Sequence, residues 1–265
     1  MPDPGFSVTM TVRNNVDTIR TCLDSLLPQV KGDGEIVVVD ARSNDGTWEA
    51  LREISAAHPE LRVFSEPANR GEGRNRAAAE ARYPYLLTHV DGDNRYAPGA
   101  LAAAARAIAA ARVDLLLVEG VQDPNPACTR CYAWTRAGFV RVGGYPPTQY
   151  EEDIGVLLRA LRAGIAIGRL HLPRVGDDLK PRPDTTAYRR PAYERGPALV
   201  RAARMFRRVG YTYREYVRFL WLTRHGGVRF ALGSVLGAYG YLSPRGRALD
   251  ERRPPSAGAS HEGAR

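Results

Sequence analysis

The sequence predicts an α/β protein with a mostly parallel, doubly wound sheet and a helical C-terminal extension. Three observations point there. Over the first 120 residues strand-like runs alternate with stretches of helical period, the pattern of consecutive βαβ units. Glu35 to Asp40 (EIVVVD) reads as a strand buried on both faces, as parallel strands are. Aspartates stand where such runs end, at Asp40 and at Asp91-Gly92-Asp93, and open α/β sheets bind ligands at strand carboxyl ends.

Phe6 to Val12 reads as the first strand. Asp17 is placed to cap a helix whose apolar positions Ile19, Leu23, Leu26 and Leu27 repeat at helical spacing before Pro28. Trp48 to Ala57 reads as a helix, Leu61 to Phe64 as a short strand, and Glu72 to Arg82 as an alanine-rich helix. Tyr85 to Val90 is a strand running straight into Asp91. Pro98 starts a helix through Ala111, and Asp114 to Glu119 is one more apolar strand. From Ala127 the pattern loosens. Gly143 to Pro147 reads as a loop, Glu152 to Ala163 as a helix ended by Gly164, and Ile165 to Leu172 as a strand. The expected organisation is a catalytic-type domain at 1–175 and a proline-rich connection at 176–191. A basic, aromatic helical region at 192–243 and a disordered tail at 244–265 follow.

At 265 residues, 44% of them hydrophobic, the chain is long enough to bury a full core. Its net charge is +9, and lysine occurs only at Lys31 and Lys180, so the excess is carried by arginine. Arginine suits bidentate contacts to phosphate and carboxylate, and a basic balance fits nucleotide sugars, lipid phosphates, anionic membranes or nucleic acid. The odd cysteine count (Cys22, Cys128, Cys131) gives no disulfide framework, so a reducing compartment, the cytoplasm, is expected. Cys128-Thr129-Arg130-Cys131 lacks the two further ligands that zinc requires. Met1 to Gly5 does not read as the start of a signal peptide.

Two carboxylates at i, i+2 after a strand make a hard-oxygen pair suited to Mn²⁺ or Mg²⁺, although Asp-Gly-Asp is equally an ordinary turn. Several further segments weigh on that choice. FSVTMTVRNNVDTIRTCLDSLL opens the chain; VVVDARSNDGT spans Val37 to Thr47; NRGEGRNRAAAEA spans Asn69 to Ala81; VDGDN spans Val90 to Asn94; GGYPPTQYEEDIGVLLRALRAG spans Gly143 to Gly164. In this order and spacing the chain resembles family 2 glycosyltransferases of the GT-A fold, over Phe6 to Leu172. It departs from that pattern at Ala41, at Arg42 and at Gly155, and it lacks the QxxRW motif of processive polymerases.

The resemblance implies transfer of a sugar from a UDP- or GDP-sugar to a sugar or polyprenyl-linked acceptor, with inversion. It implies a GT-A, Rossmann-like domain in which Val12, Arg13, Asp40, Arg74 and Asp91 bind the nucleotide. Asp91 and Asp93 would hold Mn²⁺ or Mg²⁺, with His171 as a third metal ligand or a pyrophosphate contact, and Asp153, with Glu152 beside it, would be the catalytic base. Each has a plainer reading. Asp40 is also a turn aspartate, Arg74 a solvated helix arginine, His171 a packed or surface histidine, and Glu151, Glu152 and Asp153 favour a helix N-terminus. Trp134 and Tyr145 are either pocket walls or core.

Arginine interleaved with tyrosine, phenylalanine and tryptophan between Tyr188 and Tyr241 is the composition of an interfacial helix. Peripheral attachment to the inner face of the cell membrane is one expectation, and packing on the domain or a dimer interface is the other. Competing functions are a sugar nucleotidyltransferase, a non-catalytic scaffold and a nucleic-acid-binding protein. Val12-Arg13-Asn14-Asn15-Val16 lacks the glycine-rich loop of the first. Confinement of the basic aromatic stretch to the C-terminal helices argues against the last.

Overall fold

The computed structural model describes residues 5–122, 131–147, 152–180, 207 and 212–217. The expectations for Cys128, for Glu151, and for 181–265 apart from 207 and 212–217, lie outside the described residues. The chain divides into two compact units, Met1–Thr185 and Thr186–Arg265. In the second, Thr212 and Glu215 exchange capping hydrogen bonds at the start of a helical turn. Among the described residues, no helix is long and apolar enough to cross a membrane.

The first unit runs β1 (Phe6–Val12), α1 (Val16–Val30), β2 (Gly34–Asp40), α2 (Thr47–Ala57), β3 (Leu61–Ser65), α3 (Arg70–Glu80) and β4 (Tyr85–Thr88). It continues with β5 (Asn94–Tyr96), α4 (Ala100–Ala110), β6 (Leu115–Gly120), β7 (Cys131–Thr135), α5 (Arg136–Arg141), α6 (Glu152–Arg162), β8 (Ile167–Leu172) and β9 (Gly176–Asp178). Seven strands form one sheet in the order β3-β2-β1-β4-β7-β6-β8, and β5 pairs with β9 in a second. All neighbours in the large sheet are parallel except the two flanking β7.

Both faces of the sheet are covered, which is why β2 can be apolar throughout. Ile36 and Val38 pack with Ile19, Leu23, Leu26 and the α4 residues Leu101 and Ile108 on one face. Val37 and Val39 meet Ala77 of α3 and Phe64 on the other. Each fully buried Leu or Ile on the α1 stripe is worth about 1.5–3 kcal/mol of transfer free energy. Helix α3 lies unusually close to β1: a Cβ on Gly73 would stand 2.2 Å from the Thr11 hydroxyl oxygen. Asn69 and Glu72 close a capping box at its start, which places that start at Arg70, two residues before the expected Glu72.

Other boundaries differ for physical reasons. Helix α1 continues through Pro28 to Val30 instead of stopping before the proline. Pro28 and Asp24, the residue four positions earlier, are both exposed, so water can take the hydrogen bond that proline cannot donate. Helix α4 begins after Gly99 (φ 74°), not at Pro98, because the left-handed turn interrupts it. Strand β7 and helix α5 stand where the sequence pattern loosened. The five residues CYAWT carry little signal until β4 and β6 flank them. Gly176–Asp178, expected to open the connection, pairs with β5 instead.

Candidate functional site at the carboxyl ends of β1, β2 and β4

Strands β1, β2 and β4 are parallel, so Val12, Asp40 and the segment after Thr88 share one end of the sheet. Asp40 has no exposed surface. Its carboxylate accepts the Ser43 backbone N–H at 3.2 Å and the Ser65 hydroxyl at 3.0 Å, a turn-shaping arrangement. Asp45 acts similarly: Thr47 donates to one oxygen from its N–H (3.0 Å) and hydroxyl (2.6 Å), and the Val16 N–H donates to the other (3.1 Å). Burial raises and these donors together lower its pKa, for a net depression. Asn44 N–H donates to the Asn14 side chain at 3.1 Å, which joins the β2–α2 loop to the β1–α1 loop. Arg13 is exposed at that junction, whereas Val12 is buried.

The strand expected to reach Val90 ends at Thr88. His89 adopts a left-handed backbone (φ 60°), and its ring is stacked on Tyr132 at 4.9 Å. Burial, then the charge of Arg74, holds its pKa down. The chain then turns sharply. Tyr96 Oη accepts the Asp91 N–H at 2.8 Å. A Cβ on Gly92 would stand 2.8 Å from Val12 Cγ1, so only glycine lets this loop lie on the end of β1. Val12 thereby serves as the seat of the aspartate loop.

Arg74 is the centre of the arrangement. It is 2% exposed, donates from Nη2 to Asp91 Oδ1 at 2.8 Å, and donates from Nε to Glu152 Oε1 at 3.2 Å. Its guanidinium also lies 5.6 Å from the centre of the Tyr145 ring. Burial works against the arginine charge, and Asp91 and Glu152 more than offset it. Asp91 is half-buried; burial pushes its pKa up, but Arg74, His89 and Arg70 together bring it down to about 2. Glu152 is 2% exposed. Burial pushes its carboxyl up to about 7 against the pull of Arg74. Three buried polar atoms here have no partner: Arg74 Nη1, Glu152 Oε2 and His89 Nδ1. Asp153, the next residue on α6, is half-buried.

The wall beside this centre is held by side chain-to-backbone pairs. Asn75 donates to the Tyr145 carbonyl and accepts its N–H, both at 2.8 Å. The Tyr145 hydroxyl shares a 2.7 Å hydrogen bond with Thr88 Oγ1. Gly144 (φ 62°) admits Asn75, whose side-chain oxygen would be 2.4 Å from a Cβ there. Trp134 is fully buried against Phe139. Both aromatics therefore belong to the packed interior.

The Asp91/Asp93 pair fits a divalent cation by its chemistry. Burial, then the neighbouring Asp91 charge, raises the pKa of Asp93. Asp91 keeps its charge beside Arg74 while Asp93 is pushed up next to it, and two such hard-oxygen donors suit Mn²⁺ or Mg²⁺. Among the described residues no group of three or more ligand-type side chains is placed to hold a metal. His171, expected with that pair, lies on β8 with Nδ1 3.3 Å from Glu119 and is 57% exposed.

Arg74 is the residue whose importance is easiest to underrate in the sequence. The signal was present: Arg74 sits at i−3 and i−4 from Ala77 and Ala78, on the buried stripe of α3, where a solvated arginine has no place.

Residues 7–132 match the family model for "Glycosyl transferase family 2". Glycosyltransferase AglE of Haloferax volcanii is 34% identical over 94 residues, 34% of this chain and 31% of that protein. The poly(ribitol-phosphate) beta-glucosyltransferase of Bacillus spizizenii is also 34% identical over 94 residues, 34% of this chain and 15% of its own length. The matched region thus spans under a third of either relative. The mannosyltransferase PcManGT from Pyrobaculum calidifontis, in complex with GDP-Man and Mn²⁺, superposes with a TM-score of 0.62 at 21% identity. That match covers 92% of this chain and 73% of PcManGT. S. aureus TarS 1-349 in complex with UDP gives 0.54 at 21% identity, covering 65% and 60%. These likenesses carry the fold. Across a seven-stranded, mostly parallel sheet of GT-A type, the match to glycosyl transferase family 2 runs from β1 to the start of β7, residues 7–132, just under half of the chain.

Proposed function

We propose that the chain is a glycosyltransferase that moves a sugar from a UDP- or GDP-sugar to an acceptor hydroxyl or phosphate, with inversion. The observation that carries this reading is the meeting of two halves at one buried guanidinium. Arg74 contacts Asp91, on the loop after β4, and Glu152, on the first turn of α6. A group-transfer enzyme needs a site for the departing diphosphate and a base for the acceptor at a fixed spacing. The family match supports the same activity, as do relatives named as a glycosyltransferase and a glucosyltransferase.

In this reading Asp40, Arg13 and the joined β1–α1 and β2–α2 loops form the nucleotide side. Asp40 keeps that turn rigid through Ser43 and Ser65. Asp91 and Asp93 would hold Mn²⁺ or Mg²⁺, which would supply Lewis-acid stabilisation of the leaving diphosphate. Asp153 takes the acceptor proton, because it is half-buried whereas Glu152 is enclosed. Direct attack by the deprotonated acceptor, opposite the leaving group, inverts the anomeric carbon. A lipid-linked acceptor such as a polyprenyl phosphate rests on the arginine-aromatic composition of 192–243.

The test is thermal shift of the purified protein against UDP, GDP and CDP, each with Mn²⁺ or with EDTA. One nucleotide is expected to raise the Tm only with metal, and Asp93→Ala removes that shift. No shift with any nucleotide overturns the reading.

A further inference from the structure

The Glu152 carboxylate raises a question that its position next to the expected base does not answer. It lies in the acidic first turn of α6, yet it is 2% exposed and its free oxygen, Oε2, is buried without a partner. An acceptor cannot reach it without opening the structure. Its other oxygen is spent on Arg74 at 3.2 Å, with Arg70 at 3.9 Å behind. Burying a carboxylate costs several kcal/mol unless it is paired, and even a paired one seldom improves on an apolar residue. What such a pair does provide is geometry.

Arg74 has the matching property. Its guanidinium is planar and rigid, and it uses two different nitrogens: Nε donates to Glu152 and Nη2 donates to Asp91. Asp91 and Glu152 are 61 residues apart in the chain and sit on different elements, the β4–β5 loop and α6. The arginine itself is anchored from below. Gly73, its neighbour on α3, lies against Thr11 of β1, and Asn75, the neighbour on the other side, holds both backbone groups of Tyr145. The Tyr145 ring in turn packs on the guanidinium and its hydroxyl reaches Thr88, the last residue of β4. Within this unit, Arg74 is the side chain that joins the aspartate loop to the first turn of α6.

We infer that Arg74 and Glu152 are positioning residues: a buried strut that sets the distance between the aspartate loop and the first turn of α6, and so between the leaving diphosphate and Asp153. This rests on the proposed transferase reading. It departs from the expectation that Arg74 binds the nucleotide and that Glu152 shares the chemistry. Arg74→Lys keeps the charge but replaces the rigid planar fork with a compact donor on a flexible stem, which fixes no spacing between two carboxylates.

The experiment uses the full chain and four variants: Arg74→Lys, Glu152→Ala, the double variant, and Ile108→Ala as a destabilised control in α4. Turnover is followed with whichever UDP- or GDP-sugar the wild type accepts, and affinity for the free nucleotide with Mn²⁺ is measured separately. Arg74→Lys and Glu152→Ala are each expected to lower kcat about 100-fold, the scale of a misplacement near 1 Å. Nucleotide affinity should change by less than about threefold, and the double variant should lose no more than either single one. Ile108→Ala should lower Tm without this kcat loss. A defect carried by nucleotide affinity with kcat intact overturns the strut in favour of direct nucleotide binding. Additive kcat losses overturn it in favour of two independent roles.

Hydrogen–deuterium exchange without nucleotide gives a readout that does not depend on turnover. Peptides covering 89–94 and 152–158 should both exchange faster in Arg74→Lys and in Glu152→Ala, and neither should in Ile108→Ala. Loosening of only one of the two segments overturns the strut. A wild type with no transferase activity but with this joint loosening would instead overturn the functional reading and leave the strut standing.

Discussion

The loops after β2 and after β4 both follow a parallel strand with aspartate, yet the two are built in opposite ways. Asp40 and Asp45 are surrounded by neutral donors, most of them within three residues: the Ser43 N–H, the Thr47 N–H and hydroxyl, joined by the Ser65 hydroxyl and the Val16 N–H. Asp91 is held by a charge from another element, and that charge also serves Glu152, 78 residues beyond Arg74. The first loop is a closed set of hydrogen bonds. The second retains three buried polar atoms without partners and a carboxyl raised to about 7. Perturbed, incompletely satisfied groups of this kind make the second loop the candidate functional site of the two.

The contrast can be broken at its stronger end first. Arg74→Met leaves Asp91 and Glu152 with only the more distant Arg70 as counter-charge, and should cost about 3–5 kcal/mol of stability in urea unfolding. Glu152→Gln introduced alongside should recover part of that loss. Full additivity of the two would mean that they do not share one network.

Titration separates the two ends of the pair. The folded-state pKa of Glu152 is raised, so folding binds a proton more tightly than the unfolded chain does. Stability therefore falls as pH rises from about 4.5 to about 7, by on the order of 3 kcal/mol, and is level above that. Glu152→Gln should flatten this slope in unfolding curves taken at one-unit intervals. Asp91 has the opposite sign: its stabilisation is present above the ordinary carboxylate range and is lost as pH falls towards about 2. An Asp91→Asn protein should lose less stability over that acid range than the wild type.

At the satisfied end the effects should be smaller and local. Ser65→Ala removes one of the donors to Asp40 and should cost about 1–2 kcal/mol, with no change in the pH slope between 4.5 and 7. Asn69→Ala, which opens the capping box of α3, should cost about 1 kcal/mol. If Ser65→Ala matched Arg74→Met in magnitude, the distinction between the two loops would fail.

How much of this was readable in the sequence follows from where each feature's partners lie. The covered strands of β1 and β2, the alternating helices and the aspartates at strand ends depend on periodicity and on contacts within a few residues. They fold much as the pattern indicates. The turn chemistry of Asp40 is local too. Strand β7 was not readable: CYAWT becomes a strand because β4 and β6 present ladders on both sides. The end of β4 was misjudged by two residues, because the left-handed turn at His89 is stabilised by stacking on Tyr132, a contact from β7.

The sequence by itself determined the α/β class, the order of the first six elements, and which carboxylates stand near the carboxyl end of the sheet. Those are properties of hydrophobic period and of chain direction in parallel strands. Only the tertiary structure decided that Arg74 is buried, that Glu152 is enclosed while Asp153 is half-buried, and that His171 pairs with Glu119. Charge pairing across 17 and 78 residues is set by how α3, β4 and α6 pack. The energy of an ion pair depends on burial and distance, and neither quantity exists until the chain has closed around it.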